Sequence, residues 1–148
     1  RQMCIRDRSR VGGAAQTKAM KKASGSVRID LAQYREMEVF TQFSSDLDDA
    51  TKAQLAYGGC LMELLKQPLC NPLSLHQQVI TLWTATHKKL VHVDKKAVKK
   101  YQMDMLEYFD NVYPEIGKEI DKSKVLSDEL GAKILQVADE FKDRAAAK

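Results

Sequence analysis

The fold class is decided by residues 74–86, which read SLHQQVITLWTAT. Ser74 and Gln77 have the spacing of a capping box, in which each side chain bonds the backbone N–H of the other residue. Behind the box, helical spacing continues through Leu75, Val79, Leu82, Trp83 and Thr86. This is the period of an amphipathic α-helix, so the stretch predicts a helix that buries one face.

The same period continues toward the C-terminus. Asp94 is placed to cap the next helix, Pro114 suits the first turn of another, and Ser127 caps the last one. Their apolar stripes are Val98, Tyr101, Met105, Tyr108, Phe109 and Val112, then Ile116 and Ile120, then Leu130, Ile134, Val137, Ala138 and Phe141. Three further helices are predicted from these stripes.

The N-terminal half is also helical in pattern. Residues 14–24 are good helix formers, and Gly25 marks a break or kink. In residues 27–43 one stripe holds Ile29, Ala32, Phe40 and Phe43, whereas Leu31 and Tyr34 lie on the opposite side. A helix that is apolar on two faces is typically buried between two layers, which predicts packing against something larger.

An acidic turn, residues 44–49, leads into a helix that carries Leu61, Leu64 and Leu65 and ends before Pro68. Acidic residues favour a helix N-terminus because they complement the helix dipole. The sequence shows no β-hairpin signal and no internal repeat. The predicted fold is all-α, a bundle of five to seven short helices.

Composition sets the class of protein. With 148 residues and 44% hydrophobic content, the chain is about one domain long and can bury a core. No apolar run approaches the roughly 20 residues that cross a bilayer, and no apolar segment follows the N-terminal arginines as in a secretory signal. The three cysteines form no CxxC pair, which favours free thiols in a reducing compartment, with the cytoplasm as the default.

Positive charge is concentrated at the N-terminus. Residues 1–28 hold eight Lys and Arg against the single acid Asp7, whereas the remaining residues hold 16 bases and 19 acids. A basic N-terminal arm of this kind, residues 1–28, is typical of segments that bind nucleic acid, lipid headgroups or nucleotide phosphates. A solvated basic tail without a ligand explains the charge equally well.

Most catalytic signatures are missing. There is no phosphate-binding GxxxxGK[ST] loop and no HExxH metal motif. Several residues that carry chemistry elsewhere are therefore interpreted as structural or surface groups: His76, His87, His92, Cys60, Cys70, Trp83 and the lysines between Lys88 and Lys100. No metal site and no complete active site are predicted.

Two features remain without a structural explanation. One is Arg10 beside the flexible Gly12-Gly13 pair at the entrance of a helix, and the other is the acidic turn at residues 44–49. Both lie in residues 9–51, which read SRVGGAAQTKAMKKASGSVRIDLAQYREMEVFTQFSSDLDDAT. This run resembles the start of the C-terminal domain of the α subunit of F-type ATP synthase. The resemblance continues through residues 63–68 and 72–74, and more weakly to the C-terminus.

The resemblance implies roles for four residues. In that family α and β subunits alternate in a ring, and α contributes an arginine, matched by Arg10, to a catalytic site supplied mainly by β. A guanidinium suits this role because its rigid fork of donors stabilises charge on a transferring phosphoryl group. Asp46 and Asp48 match the α loop that faces the central stalk. Gln67 matches a residue near the adenine of the non-catalytic nucleotide, although Leu69 stands where the family commonly has a second Gln.

The resemblance also implies cofactors, partners and location. The intact complex uses ATP or ADP with Mg²⁺ for ATP synthesis or hydrolysis coupled to proton flow, whereas no cofactor and no activity are expected for the isolated chain. The implied partners are β subunits and the central-stalk γ subunit, not nucleic acid. The implied location is peripheral, at the cytoplasmic face of the bacterial plasma membrane or an equivalent energy-coupling membrane.

The chain departs from the family at two further places. Residues 1–8 do not resemble it and are expected to be a non-native or disordered leader, which leaves residues 9–148 as the helical domain of a truncated α subunit lacking the β-barrel and nucleotide-binding domains. Gly58 and Gly59 replace a stretch that usually carries an Arg, and each costs a helix roughly 1 kcal/mol relative to Ala. The alternative hypothesis is a free-standing helical adaptor or nucleic-acid-binding module that uses the basic N-terminal arm.

Overall fold

The computed structural model of the chain describes residues 12–41, 48–66 and 72–146. Regular structure in these ranges is entirely helical, which confirms the all-α prediction. Three residues predicted to be functional, Arg10, Asp46 and Gln67, lie outside the described residues, as do residues 1–8.

Seven helices of at least seven residues occur in the described ranges, in agreement with the upper end of the predicted number. They are α1 (Lys18–Ser24), α2 (Val27–Thr41), α3 (Asp49–Leu65), α4 (Leu75–Thr86), α5 (Val98–Val112), α6 (Pro114–Ser123) and α7 (Asp128–Ala146). None of these helices combines the length and the apolar character that crossing a bilayer requires.

Local signals fixed several helix starts correctly. Ser74 Oγ accepts from the Gln77 backbone N–H at 3.4 Å, and Gln77 Oε1 accepts from the Ser74 N–H at 3.1 Å, so the capping box is present. Pro114 occupies the first turn of α6. Ser127 Oγ accepts from the Leu130 N–H at 3.2 Å and caps α7 as predicted.

Two predicted starts differ from the structure. The helix expected over residues 14–24 is interrupted at Gln16, and Thr17 begins α1 by accepting the Met20 N–H at 3.3 Å. A threonine hydroxyl that bonds the backbone ahead of it favours a new N-terminus over a continuous helix. Asp94 accepts from the Lys96 N–H at 3.4 Å within a preceding turn, and α5 starts only at Val98.

The centre of the bundle is α4, which packs against α1, α5, α6 and α7. The α2–α3 pair joins this bundle mainly through α3 and α5. The largest fully buried side chains come from α3 to α7 and include Leu61, Ile80, Met105, Phe109, Ile116, Ile120 and Ile134. One contiguous apolar core therefore links the helices, and among the described residues no buried side-chain N or O atom is without a hydrogen bond.

Among the described residues, one of the two apolar faces of α2 packs against another helix and the other face is exposed. Val27 and Tyr34 are buried on the face that packs against α3, whereas Ile29 and Val39 on the other face are 61% and 55% exposed. Because α2 lies at the edge of the bundle, none of the described residues supplies the larger body against which this second face is predicted to pack, and that packing stays a prediction.

The paired glycines in α3 have a packing explanation. A Cβ added at Gly58 would lie 2.5 Å from the Tyr34 Cβ and would overlap the ring of Tyr34. A Cβ at Gly59 would overlap the end of the Lys95 side chain. Gly58 therefore lets α2 and α3 approach closely, which offsets the low helix propensity of glycine.

Candidate functional site

Asp48 is the one predicted site residue that the structure describes. It is exposed and precedes the first residue of α3, with φ −66° and ψ 157°, and its side chain makes no capping hydrogen bond. Asp49 follows it and pairs with Lys52 at 3.1 Å. The two carboxylates give the N-terminal end of α3 an acidic, solvent-facing surface, an arrangement that the helix dipole stabilises. The contact of Asp48 with a central stalk stays a prediction.

The segment that carries Gln67 follows a firmly held helix end. Lys99 Nζ donates to the Leu64 carbonyl at 2.9 Å and to Gln102 Oε1 at 3.3 Å. Burial lowers the pKa of Lys99, an effect that the charge of Glu63 partly opposes. An ammonium on a C-terminal carbonyl stabilises the end of a helix, so α3 stops at a position set by α5.

The first turn of α4 carries a histidine that lies between two carboxylates. His76 Nδ1 lies 2.7 Å from Asp121 Oδ2, its Nε2 lies 3.3 Å from Asp110 Oδ1, and its backbone N–H donates to Asp121 Oδ1 at 3.2 Å. Gln77 Nε2 donates to Asp110 Oδ2 at 3.2 Å. The first turn of α4 is thereby bonded to both α5 and α6. The structural role predicted for His76 agrees with these contacts.

A third set of hydrogen bonds holds α1 against the end of α6 and the start of α7. Ala19 N–H donates to the Lys124 carbonyl at 2.9 Å. Lys22 Nζ donates to the Leu126 carbonyl at 2.9 Å and to Asp128 Oδ1 at 2.6 Å. The hydrogen bond from Lys22 lowers the pKa of Asp128. These bonds tie α1 to the connection between α6 and α7.

The remaining chemically interesting residues have structural contacts. Trp83 packs against the core and donates from Nε1 to the Gly131 carbonyl at 3.0 Å, which confirms its predicted core role. Cys60 is buried with Sγ 3.6 Å from the Leu90 carbonyl oxygen, and burial raises the pKa of its thiol to about 11. A thiol so protected is a poor nucleophile.

The lysines predicted to form a solvated face divide into two groups. Lys89 bonds Asp139 of α7 at 2.6 Å and Lys99 bonds the end of α3, so both are half-buried structural groups. Lys95, Lys96 and Lys100 are exposed, as predicted. Across the described ranges, no three His, Cys, Asp or Glu side chains are grouped as metal ligands would be.

One surface depression in the described part of the chain is an open groove of about 670 Å³. It lies between α5 and α7 and is lined by Asp104, Tyr108, Phe141 and Arg144 among others. The guanidinium of Arg144 lies over the Tyr108 ring, 5.4 Å from its centroid. Neither an activated nucleophile nor a base with an orienting partner lines it.

Comparison with known proteins places the chain in a family. The family model described as ATP synthase alpha/beta chain, C terminal domain, matches residues 16–141. The chain belongs to this family.

The relatives narrow the match to one subunit. The chain is 45% identical over 136 residues to ATP synthase subunit alpha of Aquifex aeolicus (strain VF5), which covers 92% of the chain and 27% of that protein. It is 47% identical over 134 residues to the subunit alpha of Clostridium botulinum (strain Eklund 17B / Type B), a match that covers 90% of the chain and 27% of that protein. Its identity to the subunit alpha of Bifidobacterium longum (strain DJO10A) is 48% over 134 residues, with 90% and 24% coverage. The resemblance inferred from the sequence is confirmed, and the chain spans about a quarter of the length of these relatives.

Proposed function

We propose that the chain acts as the C-terminal helical part of an ATP synthase α subunit and supports ATP synthesis or hydrolysis, coupled to proton flow, by packing in a ring of α and β subunits. The observation that carries this proposal is the 45% identity to an α subunit over 92% of the chain. The uncovered face of α2, with Ile29 and Val39 exposed, supports it because such a face suits a part that packs against a larger body.

Within that assembly, we assign Arg10 to the catalytic site of a neighbouring β subunit. Its guanidinium would stabilise the charge that develops on the transferring phosphoryl group. Gln67 would lie near the adenine of a non-catalytic nucleotide. This assignment rests on the family resemblance at residues 63–68; the bonds at Leu64 and His76 hold the helices on either side. Asp46 and Asp48 would face the central-stalk γ subunit, and the exposed carboxylate of Asp48 is free of any capping bond.

The proposed cofactors are ATP or ADP with Mg²⁺, bound in the intact complex. The phosphate-binding loop and the Mg²⁺ ligands would come from other parts of the assembly, so the isolated chain would turn over no ATP. The proposed partners are the β subunits and γ, with peripheral attachment to the cytoplasmic face of the bacterial plasma membrane or an equivalent energy-coupling membrane.

A chimaeric α subunit tests the proposal. The matching stretch of the Aquifex aeolicus subunit is replaced by this chain, and the complex is assembled with its β and γ subunits. We expect assembly and ATP hydrolysis, and Arg10→Ala should lower kcat by roughly 10³-fold or more without loss of assembly. Arg28→Ala, at an exposed position of α2, is the matched control and should leave kcat unchanged. A chimaera that fails to assemble, or full kcat in Arg10→Ala, contradicts the proposal.

A further inference from the structure

We infer that the open groove between α5 and α7 is a docking surface for an amphipathic helix of a partner protein, a helix whose apolar stripe is bordered by Lys or Arg. The apolar stripe would lie on the floor of the groove, and the basic residues would face the carboxylates of α5. The groove is independent of the proposed function, because described residues of the chain alone define it. The residues that give it its shape and charge are Asp104, Glu107, Tyr108, Val112, Phe141 and Arg144.

The shape of the groove follows from helix periodicity. On α5 the lining residues have the spacing i, i+3, i+4, i+7 and i+8, which is that of a single helical face. They are Asp104, Glu107, Tyr108, Asn111 and Val112. On α7, Phe141, Arg144 and Ala145 have the spacing i, i+3 and i+4. At a rise of 1.5 Å per residue the α5 stripe is about 12 Å long, so two to three turns of another helix fit along it.

The floor of the groove is apolar and aromatic, and the described part of the chain leaves it open. The Tyr108 and Phe141 rings are half-buried, and their centroids lie 5.5 Å apart. Val112 is 45% exposed, although α5 buries Met105 and Phe109 in the core. Such a surface receives the apolar stripe of a helix. A partner strand is not favoured, because regular structure in the described ranges is entirely helical and offers no sheet edge.

The acidic wall of the groove indicates the charge of the partner. Asp104 and Glu107 are exposed, and neither makes a hydrogen bond or an ion pair with another described residue. Residues 101–115 hold four acids and no Lys or Arg, in a chain whose net charge is +4. Carboxylates that have no cation of their own attract a basic partner and disfavour an acidic one.

Arg144 shows that the floor of the groove accepts a cation. Its guanidinium lies 5.4 Å from the centroid of the Tyr108 ring, which is the geometry of a cation–π contact. Arg144 forms no ion pair with Asp104 or Glu107, so its charge stays on the α7 side of the groove. The partner helix should therefore carry Lys or Arg along the edge that faces α5, and neither along the edge that faces Arg144.

Binding of synthetic peptides to the complete chain tests the docking surface. A peptide of about 18 residues, or five turns, with Leu along one helical face and Lys elsewhere is compared by fluorescence anisotropy with a peptide that has Glu in place of Lys. We expect the Lys peptide to bind roughly tenfold more tightly at low salt, although the net charge of +4 would favour the Glu peptide. A peptide with the same Leu and Lys residues in scrambled order should bind roughly fivefold more weakly than the Lys peptide.

Two results of these titrations would overturn the inference. One is equal affinity of the Lys peptide and either comparison peptide, because the groove would then select neither charge nor an apolar helical face. The other is the absence of saturable binding of the Lys peptide up to about 1 mM, the weakest affinity that a specific site of this kind would have.

Charge substitutions in the chain locate the site. Asp104→Asn together with Glu107→Gln should raise Kd for the Lys peptide roughly fivefold to tenfold. Glu36→Gln together with Glu119→Gln is the matched control, because it removes the same charge at exposed positions of α2 and α6. Circular dichroism checks that each variant is folded. Equal Kd for the two double variants would show that the carboxylates of α5 do not bind the peptide, and the inference would fall.

The apolar contribution is tested at Val112. Val112→Ser should raise Kd for the Lys peptide roughly threefold, whereas Val125→Ser, at a residue that is 44% exposed between α6 and α7, should leave it unchanged. In amide NMR spectra of the complete chain, signals of residues 104–112 and 141–145 should shift most when the Lys peptide is added. Equal Kd in the two serine variants, or shifts confined to another surface, would contradict docking in this groove.

Discussion

The adjacent glycines of α3 should respond in opposite directions to the same substitution. Replacement of a helix-interior Gly by Ala contributes about 1 kcal/mol through backbone propensity. At Gly58 the new Cβ would lie 2.5 Å from the Tyr34 Cβ, whereas carbon atoms in contact prefer about 3.5–4 Å. Tyr34 is buried, and its hydroxyl bonds Glu38 at 2.9 Å, so α2 itself must move by about 1 Å.

Overpacking of this kind typically costs 1–3 kcal/mol, which exceeds the gain in propensity. Gly58→Ala should therefore lower the free energy of unfolding by about 1 kcal/mol. At Gly59 the overlapping atoms belong to the end of Lys95, a flexible and exposed side chain that can turn away. Gly59→Ala should raise the free energy of unfolding by about 0.5–1 kcal/mol.

Urea denaturation followed by circular dichroism measures both effects. In a Tyr34→Gly background the penalty at Gly58 should disappear, because both the Cβ and the ring that it meets are gone. A Gly58→Ala chain more stable than the unsubstituted one would refute the packing argument, and so would a penalty that persists without the Tyr34 side chain.

Four further predictions concern three single residues, Cys60, Ser74 and Trp83. In a Cys4→Ser, Cys70→Ser chain, Cys60 should react with iodoacetamide far more slowly in the native state than in urea at pH 8, and equal rates would contradict its burial. Because burial raises the pKa of Cys60 from 9.0 to about 11, its contribution to stability is complete below pH 9 and lost as the pH rises toward 11. Cys60→Ala should therefore flatten alkaline destabilisation in that range, as measured by urea midpoints. Ser74→Ala should lower the free energy of unfolding by about 1 kcal/mol through loss of the cap, and a change near zero would show that the capping box is not stabilising. Trp83→Phe should cost about 1 kcal/mol through loss of the bond to Gly131, and a thermal melt as high as that of the parent would count against that bond.

The features of the fold that the sequence predicts correctly are helix starts, which depend on residues close together in the chain. The box at Ser74 and the cap at Ser127 each involve residues three positions apart, so their geometry follows from helix periodicity. Asp94 has the same kind of signal but caps a turn that precedes α5, because a polar side chain bonds whichever backbone N–H lies ahead of it.

Contacts between residues that are far apart in the chain cannot be predicted from local sequence patterns. Lys22 and Asp128 are 106 residues apart, and His76 and Asp121 are 45 apart, so no local spacing indicates either pair. The apolar stripe through Ile29 was recognised correctly as a pattern, but a pattern does not specify which part of an assembly covers it. Arg10 was identified through resemblance, since one arginine beside glycines has no chemistry that spacing alone would reveal.

The bonds between α1 and the α6–α7 connection have a consequence for synthesis of the chain. α1 bonds to Lys124, Leu126 and Asp128, which are made about a hundred residues after it. At about 5–20 residues per second, roughly 5–20 s pass between the synthesis of α1 and that of the carbonyl groups to which it bonds. During this interval α1 emerges without the partners of these hydrogen bonds, so it completes its native contacts only when the α6–α7 connection has been made.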